Sequence, residues 1–432
     1  MTPSAQSLPA IGRAVLNGEM SSEKAVQTCL ERIAEQNGHG RNFVSLRAEE
    51  ALAEARVRDS ESARGPLHGI PFAVKDIFQT AELPNELYSP DGKELKAAKD
   101  AAAVALLRTA GAVLLGKVAT VEFTTHENPD ESRNPFAKEF TPGGSSAGSG
   151  AAVGEGQVPL ALATQTGGST IRPASFCGAA AFKPTWGRVP VEGMKPFAPS
   201  LDTVGWVAED SELLLRAARV SGIEEAETDL DGVSLRIGFY ETPYFSEAEE
   251  ETNVALGETV RLLIAAGHHV EEVHGPKGAE RLNEWQDIVM KGEGRASYLL
   301  EQARDPAALH PGVLEVISRE QGYTHDHMRG AYEQLAAMRR EFDSVMGSYD
   351  AWLTPAVVGE PPKLEKGNTL ATFNRLFTAL GLPCAGLPGF TGPYGLPVGI
   401  QLLAPRFADI HLLQVARIVE GLIIRRQKSE DA

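Results

Sequence analysis

The chain has 432 residues, 42% hydrophobic and 23% charged, so it is long enough to bury a large core and ordinary for a globular protein. Its net charge of −17, from 58 acidic against 41 basic side chains, counts against nucleic acid and anionic membrane as partners. Three scattered cysteines (Cys29, Cys177, Cys384) set no disulfide framework, no apolar run reaches the roughly 20 residues of a membrane span, and no leader peptide is evident, so a cytoplasmic setting is expected.

In chain order, a helix is predicted from Ser22, as N-cap, to just before Gly38, with Ala25, Val26, Cys29, Leu30 and Ile33 on one face. A second helix covers 48–58. The turn-rich Gly65-Pro66-Leu67-His68-Gly69 leads into an apolar strand, Ile70 to Val74, with Lys75 at its end. A helix over 100–109, stopped by Gly111, precedes a buried strand at 112–115. Next comes the most informative stretch, Gly143 to Ile171. It reads as Gly/Ser loop, small-residue helix, short apolar strand and second Gly/Ser loop, with Glu155 its sole charge. A flexible linker would lack the embedded run Val158-Pro159-Leu160-Ala161-Leu162-Ala163. Residues 182–188 and 193–205 read as turns lining the same face. Strands are expected at 235–240, 270–273 and 351–355, and helices at 252–266 and near the C-terminus, where Leu412, Val415, Ala416, Val419, Leu422 and Ile423 share a face. Residues 275–349 read as helical and charged, with little motif content. Helices alternating with strands argue for an α/β sheet protein without internal repeats or a domain-separating linker.

Four chemistries compete for the Gly/Ser stretch. Gly144-Ser145-Ser146-Ala147-Gly148 fits the G-x-S-x-G elbow, with Ser146 as nucleophile, but the proline-broken segment 134–142 before it is no strand. A phosphate loop fails because Ser149, not lysine, follows Gly148. The glycine spacing supplies no dinucleotide fingerprint. The remaining reading joins the hydroxyls to a lysine base, and Lys75 is the candidate because its strand is otherwise apolar. A lysine ending a strand ordinarily reaches for solvent, so Lys75 alone carries little weight. His268-His269 and His325-Asp326-His327 lack metal-ligand spacing and read as helix or turn residues. Cys177 reads as a small core residue, and Glu247 to Glu251 as a solvated helix start.

Taken together, Gly65 to Asp76, Gly143-Gly144-Ser145-Ser146, Gly167-Gly168-Ser169, Phe176-Cys177-Gly178 and Lys183-Pro184-Thr185 resemble the amidase signature family of serine hydrolases. Gly381 to Cys384 and Gly395 to Gln401 match that family's C-terminal pattern more loosely. The resemblance implies an α/β fold with a mixed β-sheet covered on both faces by helices. It also implies a single domain, with its core over about 60–230 and 350–430 and a variable helical region over about 240–349. It further implies a triad: Lys75 as base, Ser145 in a cis peptide as bridge, and Ser169 as nucleophile. Backbone amides around Thr166, Gly167, Gly168 and Ser169 would receive the oxyanion, with no metal or organic cofactor. Two departures stand out: Gln165 where the family commonly has aspartate, and Ile171-Arg172 where it has arginine one position earlier. The second resembles a malonamidase-type branch, making Arg172 either a clamp for a substrate carboxylate or a brace for the loop. The expected activity is hydrolysis of a small-molecule amide, with carbamates or esters as further substrates and a homodimer allowed. The alternatives are a glutamine-hydrolysing amidotransferase subunit and a silent binding protein of the same fold.

Overall fold

A computed structural model describes residues 10–36, 40–85, 97–120, 132–226, 228–304, 306, 309, 313–315, 323–366 and 371–430. Eleven strands among them form one mixed sheet: β1 Phe43–Leu46, β2 Pro71–Lys75, β3 Val113–Val118, β4 Leu160–Gln165, β5 Ala180–Lys183, β6 Thr203–Ala208, β7 Arg236–Tyr240, β8 His269–Val273, β9 Ala351–Pro355, β10 Cys384–Thr391 and β11 Pro397–Leu403. Their order across the sheet is β1-β3-β2-β4-β6-β5-β10-β11-β9-β7-β8. β2 lies parallel to both its neighbours, β3 and β4. A strand buried on both faces carries a continuous apolar run, and Pro71-Phe72-Ala73-Val74 is one.

On β2 and β4 the pleat sorts side chains by size. Ala73, Ala161, Ala163 and Ala181 join one core cluster, while Phe72, Val74, Leu160, Leu162, Phe182 and Trp206 join the other. Large residues face the helices Ala102–Thr109, Ser211–Val220 and Asp409–Glu430. The alanine face accepts the short helices Ala147–Gly154 and Ile171–Phe176 instead. Every residue of Ala147–Gly154 is buried, which only such small side chains allow at that depth. Period-two alternation puts Lys75 on this face too, alongside Ala73.

Gly154 marks how close the approach is. A Cβ there would lie 2.2 Å from Cys177 O and 3.0 Å from Cys177 Cβ. Both sides are packed, so Gly154→Ala is expected to destabilise the protein by about 1–3 kcal/mol, read as a lower urea midpoint.

Most expected elements are present, with informative differences. The helix Ser22–Gln36 is capped by Ser21, whose Oγ accepts from Lys24 N at 3.2 Å; Ser22 is its first residue and donates through Oγ to Gly69 O. Gly38 lies outside the described residues. The segments read as turns at 182–188 and 193–205 begin and end in strands β5 and β6. Ala180, Ala181, Gly205 and Ala208, which are weak strand formers, hid the strand signal. β1, β7 and β8 also carry the sheet beyond the span expected for the core. In the charged region, His327 Nδ1 accepts from Thr324 N, completing a capping box on the helix His325–Met346. Among the described residues no helix is long and apolar enough to cross a membrane.

Candidate active site

Three lysines are among the largest fully buried side chains: Lys75, Lys117 and Lys183. Lys117 faces a carboxylate, Asp76, at 3.1 Å. Lys183 donates to two carbonyls, Pro184 O at 2.9 Å and Leu382 O at 2.5 Å. Lys75 is different, because its Nζ meets hydroxyls: Ser145 Oγ at 2.8 Å and Thr164 Oγ1 at 2.9 Å. Burial without a contacting anion disfavours the ammonium and lowers Lys75 to about 7, while the field of Asp202 opposes the shift. A neutral amine is therefore accessible near neutral pH, and a neutral amine can accept a proton.

The Gly144–Ser145 peptide is cis, as the resemblance implied. Its surroundings hold it from both sides. Arg172 Nη2 donates to Gly144 O at 2.7 Å, and Thr120 Oγ1 donates to Ser145 O at 3.0 Å. The buried guanidinium of Arg172 thus contacts the first Gly/Ser loop. Ser146 N then donates to Ser169 O at 3.3 Å, tying that loop to the second. Ser146 Oγ is bound to the backbone of Thr164, at 3.2 Å from its O and 3.3 Å from its N.

The second loop, Thr166 to Thr170, is held from several directions. Gln165 Oε1 accepts from Thr170 N and Ile171 N, and its Nε2 donates to Thr378 Oγ1 at 3.0 Å. An aspartate at 165 could only accept, so glutamine matches the threonine across from it. Thr166 Oγ1 donates to Asp202 at 2.5 Å. Burial pushes the Asp202 carboxyl up to about 7 against the donations of Thr166 Oγ1, Phe197 N and Ala198 N. Gly168 packs so tightly that a Cβ would fall 2.5 Å from Ala371 Cβ and 2.6 Å from Asn374 Oδ1. Among the described residues no acceptor is paired with the N–H groups of Gly167, Gly168 or Ser169. Ser169 is also the most exposed of the three candidate groups, at 8% against 1% for Ser145 and 0% for Lys75. Of the three groups Lys75 thus lies deepest and Ser169 nearest to solvent.

Reasoning from sequence located Lys75, Ser145, Thr166, Gly167, Gly168, Ser169 and Arg172, and the fold brings them into one region. It missed Thr164, Asp202, Gln286 and Thr378, which contact Lys75 or the second loop. Asp202 left one usable signal: an acidic residue directly before the apolar strand β6.

A mixed sheet that offers a buried amine and two serine-bearing loops to one face defines a class of α/β proteins suited to hydrolytic chemistry. The chain belongs to the amidase family, C–N hydrolases by class: the family model described as Amidase matches residues 24–413. It is 31% identical over 458 residues to a glutamyl-tRNA(Gln) amidotransferase subunit of Chromohalobacter salexigens, covering 92% of this chain and 93% of that one. Among solved structures, a crystal structure of an amidase superposes with a TM-score of 0.85 at 28% identity, covering 95% of this chain and 98% of that one. The native peptide amidase from Stenotrophomonas maltophilia shares the fold, with a TM-score of 0.78 at 24% identity, over 96% of this chain and 97% of that one.

Proposed function

We propose that this protein is an amidase that hydrolyses a small-molecule amide through an acyl-enzyme on Ser169, with Ser145 and Lys75 as proton relay. One contact carries the reading: Lys75 Nζ, fully buried, lies 2.8 Å from Ser145 Oγ. Neutral Lys75 takes the Ser145 proton as Ser145 takes that of Ser169 and Ser169 Oγ bonds to the acyl carbon. The carbonyl oxygen becomes an oxyanion facing the N–H groups of the second loop, where one such donor is typically worth about 10²–10³ in rate. The C–N bond then breaks as Ser145 passes a proton to the amine, recovering one from Lys75. Water, deprotonated by the same relay, cleaves the ester and frees the acid. Carbamates and esters enter by the same route.

A second reading, a protein that releases ammonia from glutamine for a partner, is favoured by the relatives named as glutamyl-tRNA(Gln) amidotransferase subunits. Assay of the isolated chain on aryl amides, aliphatic amides, carbamates, esters and glutamine separates the two. We expect turnover of a simple amide and Ser169 modified by a fluorophosphonate in mass spectrometry. Ammonia from glutamine alone would select the second reading. An unmodified Ser169 with no turnover would leave a silent protein of this fold.

A further inference from the structure

Two side chains outside the second loop grip its carbonyls. Gln286, fully buried on the helix Leu282–Ser297, donates from Nε2 to Thr166 O at 2.9 Å. Thr378, on the helix Thr372–Leu380, places Oγ1 2.7 Å from Gly167 O and 3.0 Å from Asn374 O. Gln286 has no freedom to turn its amide around. Arg375 Nε donates to its Oε1 at 2.6 Å, and Arg375 is anchored in turn by Asp287 at 2.8 Å. A guanidinium can only donate, so the amide nitrogen must face Thr166 O.

The only cis peptide among the described residues is Gly144–Ser145, so those that follow Thr166 and Gly167 are trans. In a trans peptide the N–H points opposite to the C=O. Pulling Thr166 O toward Gln286 therefore aims Gly167 N–H the other way, and pulling Gly167 O toward Thr378 does the same for Gly168 N–H. These are two of the three amides that meet no acceptor among the described residues.

We infer that Gln286 and Thr378 are positioning residues that orient the Gly167 and Gly168 amides toward the reacting carbonyl. The inference rests on the serine reading above and deepens it. It also gives the variable region a part in catalysis. The helix Leu282–Ser297 fixes half of the oxyanion site, so changes there alter rate as well as substrate preference.

The test uses Gln286→Glu, which keeps an acceptor for Arg375 but offers Thr166 O no donor, together with Gln286→Leu, Thr378→Val and Thr378→Ser. Each is assayed on p-nitroacetanilide and p-nitrophenyl acetate. Phenylboronic acid serves as a tetrahedral mimic and benzamide as a ground-state competitor. For Gln286→Glu, Gln286→Leu and Thr378→Val, kcat is expected to fall about 10²–10³-fold with KM within about threefold. Phenylboronic acid should weaken by a similar factor and benzamide should not, while Thr378→Ser restores kcat. A wild-type kcat in folded Gln286→Leu and Thr378→Val, or a loss confined to KM, overturns the positioning role. Fluorophosphonate labelling of wild-type Ser169 separates the failures. With labelling intact, only the positioning role falls; without it, the serine reading falls and takes this inference along.

Discussion

Lys75→Met is expected to lower kcat by about 10³–10⁴-fold while the protein stays folded, because it removes the proton acceptor of the proposed mechanism and keeps the length of the side chain. The accompanying signature lies in pH. Wild-type kcat/KM should climb with unit slope as Lys75 loses its proton, and level off above its value of about 7. The residual activity of the variant should lack that step. Stability gives a second readout, with its sign fixed by linkage. Lys75 falls from its ordinary 10.5 to about 7 on folding, so between those values the unfolded chain holds the extra proton. Stability contributed at this site therefore rises as pH increases from 7 to 10.5, by an amount on the order of 5 kcal/mol. Four carboxyls, Glu155, Asp202, Glu209 and Glu420, are raised to about 7 and act at lower pH. They are common to both proteins, so the difference between wild-type and variant unfolding curves isolates Lys75. In urea midpoints measured from about pH 7 to pH 10, the wild type should gain steadily on the variant. Parallel curves, or a variant with full turnover, would remove the base from the mechanism.

The destabilisation of Lys75 follows from where it sits. β2 is an interior strand buried on both faces, so its last side chain has nowhere wet to go. Lys117, one strand away, meets the same problem and solves it with Asp76. At Lys75 the neighbours are hydroxyls, which accept a hydrogen bond from either form of the amine and offset less of the cost of charge. Asp202 supplies part of the missing field, but it is itself committed to Thr166, Phe197 and Ala198.

This explains how much could be read before the fold was seen. Loops rich in glycine and serine announce themselves because few other residues permit such close backbone approach, and a lysine after four apolar residues breaks an otherwise simple pattern. Thus the two loops and Lys75 stood out, as did the α/β alternation, while the choice of Ser145 and Ser169 among the seven hydroxyls of 143–171 came from the resemblance to the amidase signature family. Gln286 and Thr378 were not. Each lies on an amphipathic helix whose pattern is accounted for by packing, and a buried glutamine or threonine at such a position carries no mark of its partner more than a hundred residues away. β5 and β6 were hidden for another reason: Ala180, Ala181, Gly205 and Ala208 are weak strand formers. The Gln165 departure was visible, but its meaning came only with Thr378 opposite it.

The two serines Ser146 and Ser169 provide the sharpest separation of competing chemistries. In the elbow reading Ser146 would be the nucleophile, yet its Oγ both donates to Thr164 O and accepts from Thr164 N. A hydroxyl so engaged anchors the loop on β4. Ser146→Ala should therefore cost about 1 kcal/mol of stability and leave turnover within tenfold of wild type. Ser169→Ala should behave in the opposite way. It removes a small group at a partly accessible position, so the unfolding midpoint should barely move. Turnover, by contrast, should drop roughly 10⁵–10⁶-fold, since without the acyl-enzyme neither Lys75 nor the loop amides have a reaction to assist. Non-additivity supplies the final check. If the three groups act as one relay, adding Lys75→Met to Ser169→Ala should reduce the rate little further. Multiplicative losses in the double variant, or a dead Ser146→Ala beside an active Ser169→Ala, would move the nucleophile off the second loop.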